Sequence, residues 1–140
     1  MKSSRFHAAK TAARPAVAVI LFWTGSHRLA ITASALREIR QDGGWTPEEL
    51  GCKRVVSAAA LFGTRPNGEA RLLVLRRGGV AVRVDRVDRL IEIAGVRPLP
   101  RMFRGAERSW YCGLAVVAGE VIPVINPEAF LRQGQEGLAA

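Results

Sequence analysis

The apolar residues of this chain come in short runs, and where the pattern is clearest they alternate. In Val80-Ala81-Val82-Arg83-Val84-Asp85, the three valines share one face while Arg83 and Asp85 point the other way. A period of two puts successive side chains on opposite faces of an extended backbone, so this is a strand in a sheet with one wet face. Residues 70–76 read as the buried strand before it, joined to it by the tight turn Arg77-Gly78-Gly79.

The same punctuation recurs along the chain. Residues 16–23 and 29–32, joined by 24–28, read as a β-hairpin. Residues 110–118 and 121–125 flank Gly119-Glu120 and form another. Val87, Leu90, Ile91 and Ile93 continue the apolar signal after a bend. Pro98-Leu99-Pro100 is extended, because a proline disfavours helix at the residue before it. About seven short strands spaced roughly 8–12 residues apart describe an all-β barrel or sandwich.

Helical signals are brief. Thr46-Pro47-Glu48-Glu49 combines a Thr cap, Pro at the first position and Glu three residues after the cap, and Gly51 stops the helix early. Asn126-Pro127-Glu128 caps a short helix ending at Leu131. Residues 33–40, with Ala35, Leu36 and Ile39 on one face, are either a single helical turn or a twisted strand end. Residues 53–62 are apolar, contain the small-residue run 57–60 and close on Gly63. Loops are expected at 41–45, at 64–68 with its Pro66-Asn67-Gly68 cluster, and at 101–108. The organisation expected is a flexible basic arm (1–15), one domain (16–131) and a flexible tail (132–140). With 49% hydrophobic residues in 140, the chain can fill one core, and at 6% aromatic that core rests on aliphatic side chains.

Chemistry-bearing residues do not assemble. His7 lies in the arm and His27 in a turn, neither at ligand spacing from a second donor, so no metal site is expected. Ser26-His27 has no third partner for a triad. The Gly78-Gly79 turn joins two strands and opens no helix, unlike a phosphate loop. Asp85 and Asp88 sit among Arg83, Arg86 and Arg89, which keep carboxylates ionised; a local salt-bridged turn is the expectation. Trp110 and Tyr111 either stack on a ligand or anchor the edge of a barrel. Cys52 and Cys112, far apart in sequence, read as small core hydrophobes in a reducing compartment. No catalytic residue and no cofactor is expected.

The formal charge of +9 favours acidic partners: nucleic acid, an anionic membrane surface or an acidic protein face. The 18 arginines and three lysines are spread over the whole chain, which favours a solvated basic surface over a nucleic-acid face. The basic stretch before the apolar run 16–23 has a faint likeness to a signal peptide, but the run is rich in β-branched and aromatic residues and reads as a first strand. No apolar run approaches the roughly 20 residues that span a bilayer, so a soluble, cytoplasmic protein is expected.

Several segments together resemble the CheW coupling proteins of bacterial chemotaxis. "RLLVLRRGGVAVRVDRVDRLIEI" is similar to the family's strand, turn and return strand ending in Val-Asp-x-Val. "VRPLP" and "WYCGLAVVAGEVIPVINPEAFL" resemble its Pro-containing connection, its Gly-led hairpin and its closing strand-to-helix junction. "AVILFWTGSHRLAITASALREIR" is similar to the opening hairpin and the Glu-Ile element, and "KRVVSAAALFG" to the strand leading into an Asp-Leu-x-x-x-Phe-Gly-like end, although the Asp-Leu is missing here, replaced within 57–60.

The resemblance implies two interlocked five-stranded SH3-like β-barrels without catalytic residues. It implies an adaptor that couples chemoreceptor tips, held in a groove between the lobes, to a CheA-type histidine kinase. Leu36, Glu38 and Ile39 match positions on one side of that groove, and Val82, Val84 and Asp85 match the other side. The aliphatic members of this set read equally well as core. The chain departs from the family at 41–52, where Leu50-Gly51-Cys52-Lys53 replaces a longer segment with an Asn-Leu-Arg-Gly strand. The first lobe is therefore expected to be shortened. The alternative function is a basic small barrel that binds nucleic acid.

Overall fold

The computed structural model describes residues 16–65, 70–101 and 106–139, with side chains at 106–107 and 134–139 excluded. The arm at 1–15, the Pro66-Asn67-Gly68 turn and the middle of the 101–108 loop lie outside the described residues. In chain order the elements are β1 (Val17–Thr24), β2 (His27–Thr32), a 3-10 turn (Ala33–Ala35), β3 (Leu36–Gln41), α1 (Pro47–Leu50), β4 (Arg54–Ser57) and α2 (Ala58–Phe62). There follow β5 (Arg71–Leu75), β6 (Val80–Val84), β7 (Arg86–Ile93), a second 3-10 turn (Ala106–Trp110), β8 (Tyr111–Val117), β9 (Glu120–Ile125) and α3 (Pro127–Ala139).

The strands form two sheets, one ordered β7-β1-β2-β9-β8 and the other β3-β5-β6-β4. The two interlock. The opening hairpin β1–β2 pairs with strands from the end of the chain, β7 antiparallel and β9 parallel, while the middle of the chain builds the second sheet.

Strand β1 explains why the sheets hold together. Its run is apolar at nearly every position because both of its faces are buried. Val19 and Leu21 point into the five-stranded sheet's own core, with Ala30, Ala115, Ile122 and Val124. Ile20 and Phe22 point the other way, into a cluster with Leu29, Ile31, Leu36, Leu73, Val80, Val82, Val84 and Phe130. That second cluster draws on both sheets, so neither lobe has a complete core of its own.

The four-stranded sheet buries its other face under Leu50, which packs with Leu72, Val74 and Ala81. The resemblance implied a fifth strand here. In its place stands α1, a single turn whose capping box is complete. Thr46 Oγ1 accepts the Glu49 N–H and Glu49 Oε1 accepts the Thr46 N–H, each at 3.2 Å. Gly51 ends the turn at φ 69°, a left-handed conformation that favours glycine. Arg37 of β3 donates to the carbonyls of Leu50 and Gly51, pinning the turn against the strand edge.

Other local readings resolve against tertiary context. Residues 33–40 are both things at once, a 3-10 turn followed by strand β3. Residues 53–62 split into strand β4 and helix α2. Helix α3 runs on to Ala139, beyond the expected end at Leu131. The residues just past Leu131 are fastened: Gln133 Nε2 donates to the Ser57 carbonyl at 2.8 Å and Arg132 Nη2 to the Ser109 carbonyl at 3.0 Å. Cys52 is half-buried beside Leu50, and Cys112 is exposed rather than in the core; both are free thiols. Burial of the Cys112 sulfur against β9 raises its pKa, which disfavours a reactive thiolate.

Phe22→Ala should therefore cost about 3–5 kcal/mol, as large-to-small changes at fully buried aromatics do. Denaturant unfolding should show both lobes melting together; an early melt confined to one sheet would contradict a shared core.

Candidate partner-binding site

The six residues singled out by sequence fall into three environments. Leu36, Val82 and Val84 are buried in the shared cluster, so they are core and present no surface of their own. Glu38 and Ile39 lie on β3, an edge of the four-stranded sheet. Ile39 is 39% exposed and opposite Leu73, while Glu38 pairs with Arg40 at 2.9 Å.

Asp85 is a buried carboxylate at the junction of the sheets. Its Oδ2 accepts the Gly25 N–H at 2.6 Å and its own N–H donates to the Trp23 carbonyl at 3.0 Å. It thereby ties the end of β6 to the turn of the opening hairpin. The expected local salt-bridged turn is not what forms. Asp88 pairs with Arg28 of β2 at 2.8 Å, and Arg83 pairs with Asp42 at 2.8 Å.

Arg28 also holds Glu120 at 2.6 Å, so one guanidinium joins β2 to β7 and to the start of β9. The hydrogen bond that Arg28 donates to Asp88 and the nearby carboxylate charges raise its pKa against the opposing desolvation. Trp23 sits between Arg28 and Arg86, whose guanidinium carbons lie 5.7 and 5.3 Å from the indole centroid. This cluster closes one end of the five-stranded sheet and is structural. Trp110 and Tyr111 likewise anchor. Phe62 meets Trp110 edge-on at 5.7 Å and His27 at 5.2 Å, linking α2 to both hairpins of the five-stranded sheet.

A cleft of about 560 Å3 lies between the end of β5 and the start of α3. One wall is the 3-10 turn after β2 (Ser34, Ala35) with the end of β5 and its turn (Leu75, Arg76, Arg77). The facing wall is the start of α3 (Asn126, Pro127, Glu128, Leu131). Its floor is the margin of the shared core, since Leu75 belongs to that cluster and Ala35 and Leu131 pack against it.

The walls are held rigidly. Arg76 donates its backbone N–H to the Ala35 carbonyl at 2.9 Å, and its guanidinium donates to Ser34 and Leu36 carbonyls at 3.1 Å each. Opposite, the Asn126 side chain accepts the Glu128 N–H at 3.1 Å and starts the helix. Gly78, at φ 87°, lets the turn approach α3 closely, because a Cβ there would collide with Leu131. Arg76, Arg77 and Leu131 were missed as site residues. The turn and the helix cap were both legible, but nothing in the sequence places one against the other.

A second exposed feature lies beside β3. Trp45 is 38% exposed, donates its indole N–H to the Gln41 carbonyl at 2.8 Å and carries the Arg40 guanidinium 4.9 Å from its ring centroid. With Ile39 it gives this sheet edge an apolar margin set among charges.

Among the described residues no helix is long and apolar enough to cross a membrane. No protein-family model matches the chain, and no curated protein matches it by sequence. Among solved structures, that of the scaffolding protein TtCheW from Thermoanaerobacter tengcongensis is similar, with a TM-score of 0.63 at 17% sequence identity. The likeness covers 81% of this chain and 86% of that one. The shared architecture of two small SH3-like sheets locked through the opening hairpin is therefore a CheW-like fold.

Proposed function

We propose that this chain is a non-enzymatic scaffold of a bacterial chemotaxis array, coupling chemoreceptor tips to a CheA-type histidine kinase in the cytoplasm. The observation that carries the reading is the CheW-like architecture, shared over most of both chains with a scaffolding protein. The way the fold spends its chemical groups supports it. The buried carboxylate of Asp85 accepts a backbone N–H, and exposed apolar side chains include Ile39 on the edge strand β3 and Trp45 in the loop after it.

In this reading the core trio Leu36, Val82 and Val84 sets the spacing of the lobes and Asp85 fixes their junction. The partner-facing positions are Glu38 and Ile39 on the edge of β3, with Trp45 beside them, and the interlobe cleft. Few contacts of this kind suffice, because interface energy concentrates in a few apolar anchors within a polar rim.

Three measurements check this. Ile39→Asp should weaken capture of a CheA-type kinase or a receptor tip fragment at least about fivefold, the scale of a single interface anchor. Its thermal unfolding should match that of the parent chain; undiminished capture of both partners would contradict the role given to β3. Asp85→Ala should destabilise the fold by about 1–3 kcal/mol, the range for an unpaired buried backbone donor, and weaken capture only as far as it unfolds the chain. The basic charge offers nucleic acid as the competing partner. A scaffold should hold duplex or single-stranded DNA weakly at moderate salt, whereas tight retention lost steeply as salt rises would favour the nucleic-acid reading.

A further inference from the structure

We infer that the second half of α3 is a releasable cover on the open edge of β4, and that the surface beneath it pairs with the same edge of a second copy of this chain. Neither β3 nor the cleft takes part, so this surface is separate from those of the scaffold reading.

The two sheets have four edge strands, and three of them are protected without α3. β3 carries Arg37, Glu38 and Arg40, and β7 carries Arg86, Asp88, Arg89 and Glu92. Charges along an edge oppose pairing with another chain. β8 is closed at its middle, where Arg97 and Leu114 exchange backbone hydrogen bonds at 2.8 Å each way. β4 has neither defence. Past Arg54, residues 55–62 contain no charge, proline or glycine.

The register of β4 on β6 decides which groups lie open. Arg54 stands opposite Val80 and donates its backbone N–H to the Gly79 carbonyl, so Arg54 and Val56 turn their backbone groups toward β6. Val55 and Ser57 turn theirs away. The Ser57 backbone is extended, at φ −107° and ψ 127°, and its outward carbonyl accepts from Gln133 Nε2 of α3 at 2.8 Å. The helix therefore stands where a neighbouring strand would.

That cover is weakly held. The first half of α3 is anchored by Ala129 and Phe130, both buried. Past Leu131 the helix contains Gly134 and Gly137, the residue type that disfavours a helix interior most after proline. In the seam, Arg54 Nε and Gln133 Oε1 are buried without a hydrogen-bond partner. Lifting the helix end gives both access to water and removes the penalty of leaving them unpaired.

A second copy fits this edge in antiparallel register, about a two-fold axis through Val56. Val55 of each copy then lies opposite Ser57 of the other, and their outward N–H and C=O groups pair. The uncharged stretch 55–62 presents no like charges to its twin, whereas the chain at large, at +9, repels one.

Sedimentation velocity on the full chain tests this. At neutral pH, Gln133→Glu keeps the size of the side chain but cannot donate to the Ser57 carbonyl. It should lower the dimer dissociation constant at least about tenfold relative to the parent, as freeing a masked binding state does. Adding Ser57→Pro, which removes an outward N–H and no ladder bond, should return the chain to monomer. Dimerisation should strengthen as salt screens the net charge. A chain ending at Leu131, which keeps the buried Ala129 and Phe130, should dimerise as Gln133→Glu does.

Circular dichroism establishes which variants are folded, and either of the two uncovered chains decides alone if the other does not fold. A folded, uncovered chain that stays as monomeric as the parent would overturn the inference. So would association that survives Ser57→Pro, or open-ended assembly in place of a dimer, since another surface would then be at work.

Discussion

The fold depends on one strand being buried from both sides. Because Ile20 and Phe22 face one cluster and Val19 and Leu21 another, β1 cannot leave the five-stranded sheet without exposing both cores. Hydrophobic burial is non-directional, so a two-faced strand is a strong way to fix two small sheets relative to each other. Everything at the junction follows from it. Asp85 can reach the hairpin turn, and the cleft opens where the shared cluster ends.

What the sequence made legible was local. The hairpins, the capping box at Thr46 and the Asn126 cap each rest on a few adjacent residues, and each is where it was expected. Sheet membership was not local. A valine alternating toward "the core" reads the same whether that core belongs to one sheet or two, which is why Leu36, Val82 and Val84 fitted groove and core equally well. The Asp85–Asp88 region shows the same limit. Neighbouring arginines favoured a local turn, but the hairpin brought Gly25 and Arg28 closer than the chain's own neighbours could reach. Helix α3 continues past Leu131, where Arg132 and Gln133 are bonded to the carbonyls of Ser109 and Ser57, contacts that no local signal announces.

The arginine content has an architectural explanation. Many guanidiniums end on backbone carbonyls: Arg37 on α1, Arg54 on α3, Arg76 on the 3-10 turn, Arg108 on Pro100 and Arg132 on Ser109. A planar group with five donors can close orphan carbonyls at strand and helix ends in ways that the point charge of lysine cannot. In a chain with few aromatics and only short helices, these clips secure the irregular connections. A high isoelectric point then follows from how the loops are fastened and does not require a basic binding face.

The pairing of the first strands with the last has a kinetic side. Val17 lies against Ile93, and Ala30 against Val124, so the opening hairpin leaves the ribosome long before its neighbours exist. Contacts so distant in sequence close slowly, since the loop entropy is lost before the burial is gained. During synthesis the doubly greasy β1 must wait without cover, as sticky a segment as this chain contains. Nascent-chain holding factors would find their natural substrate there, and the last strand to emerge, β9, would release it.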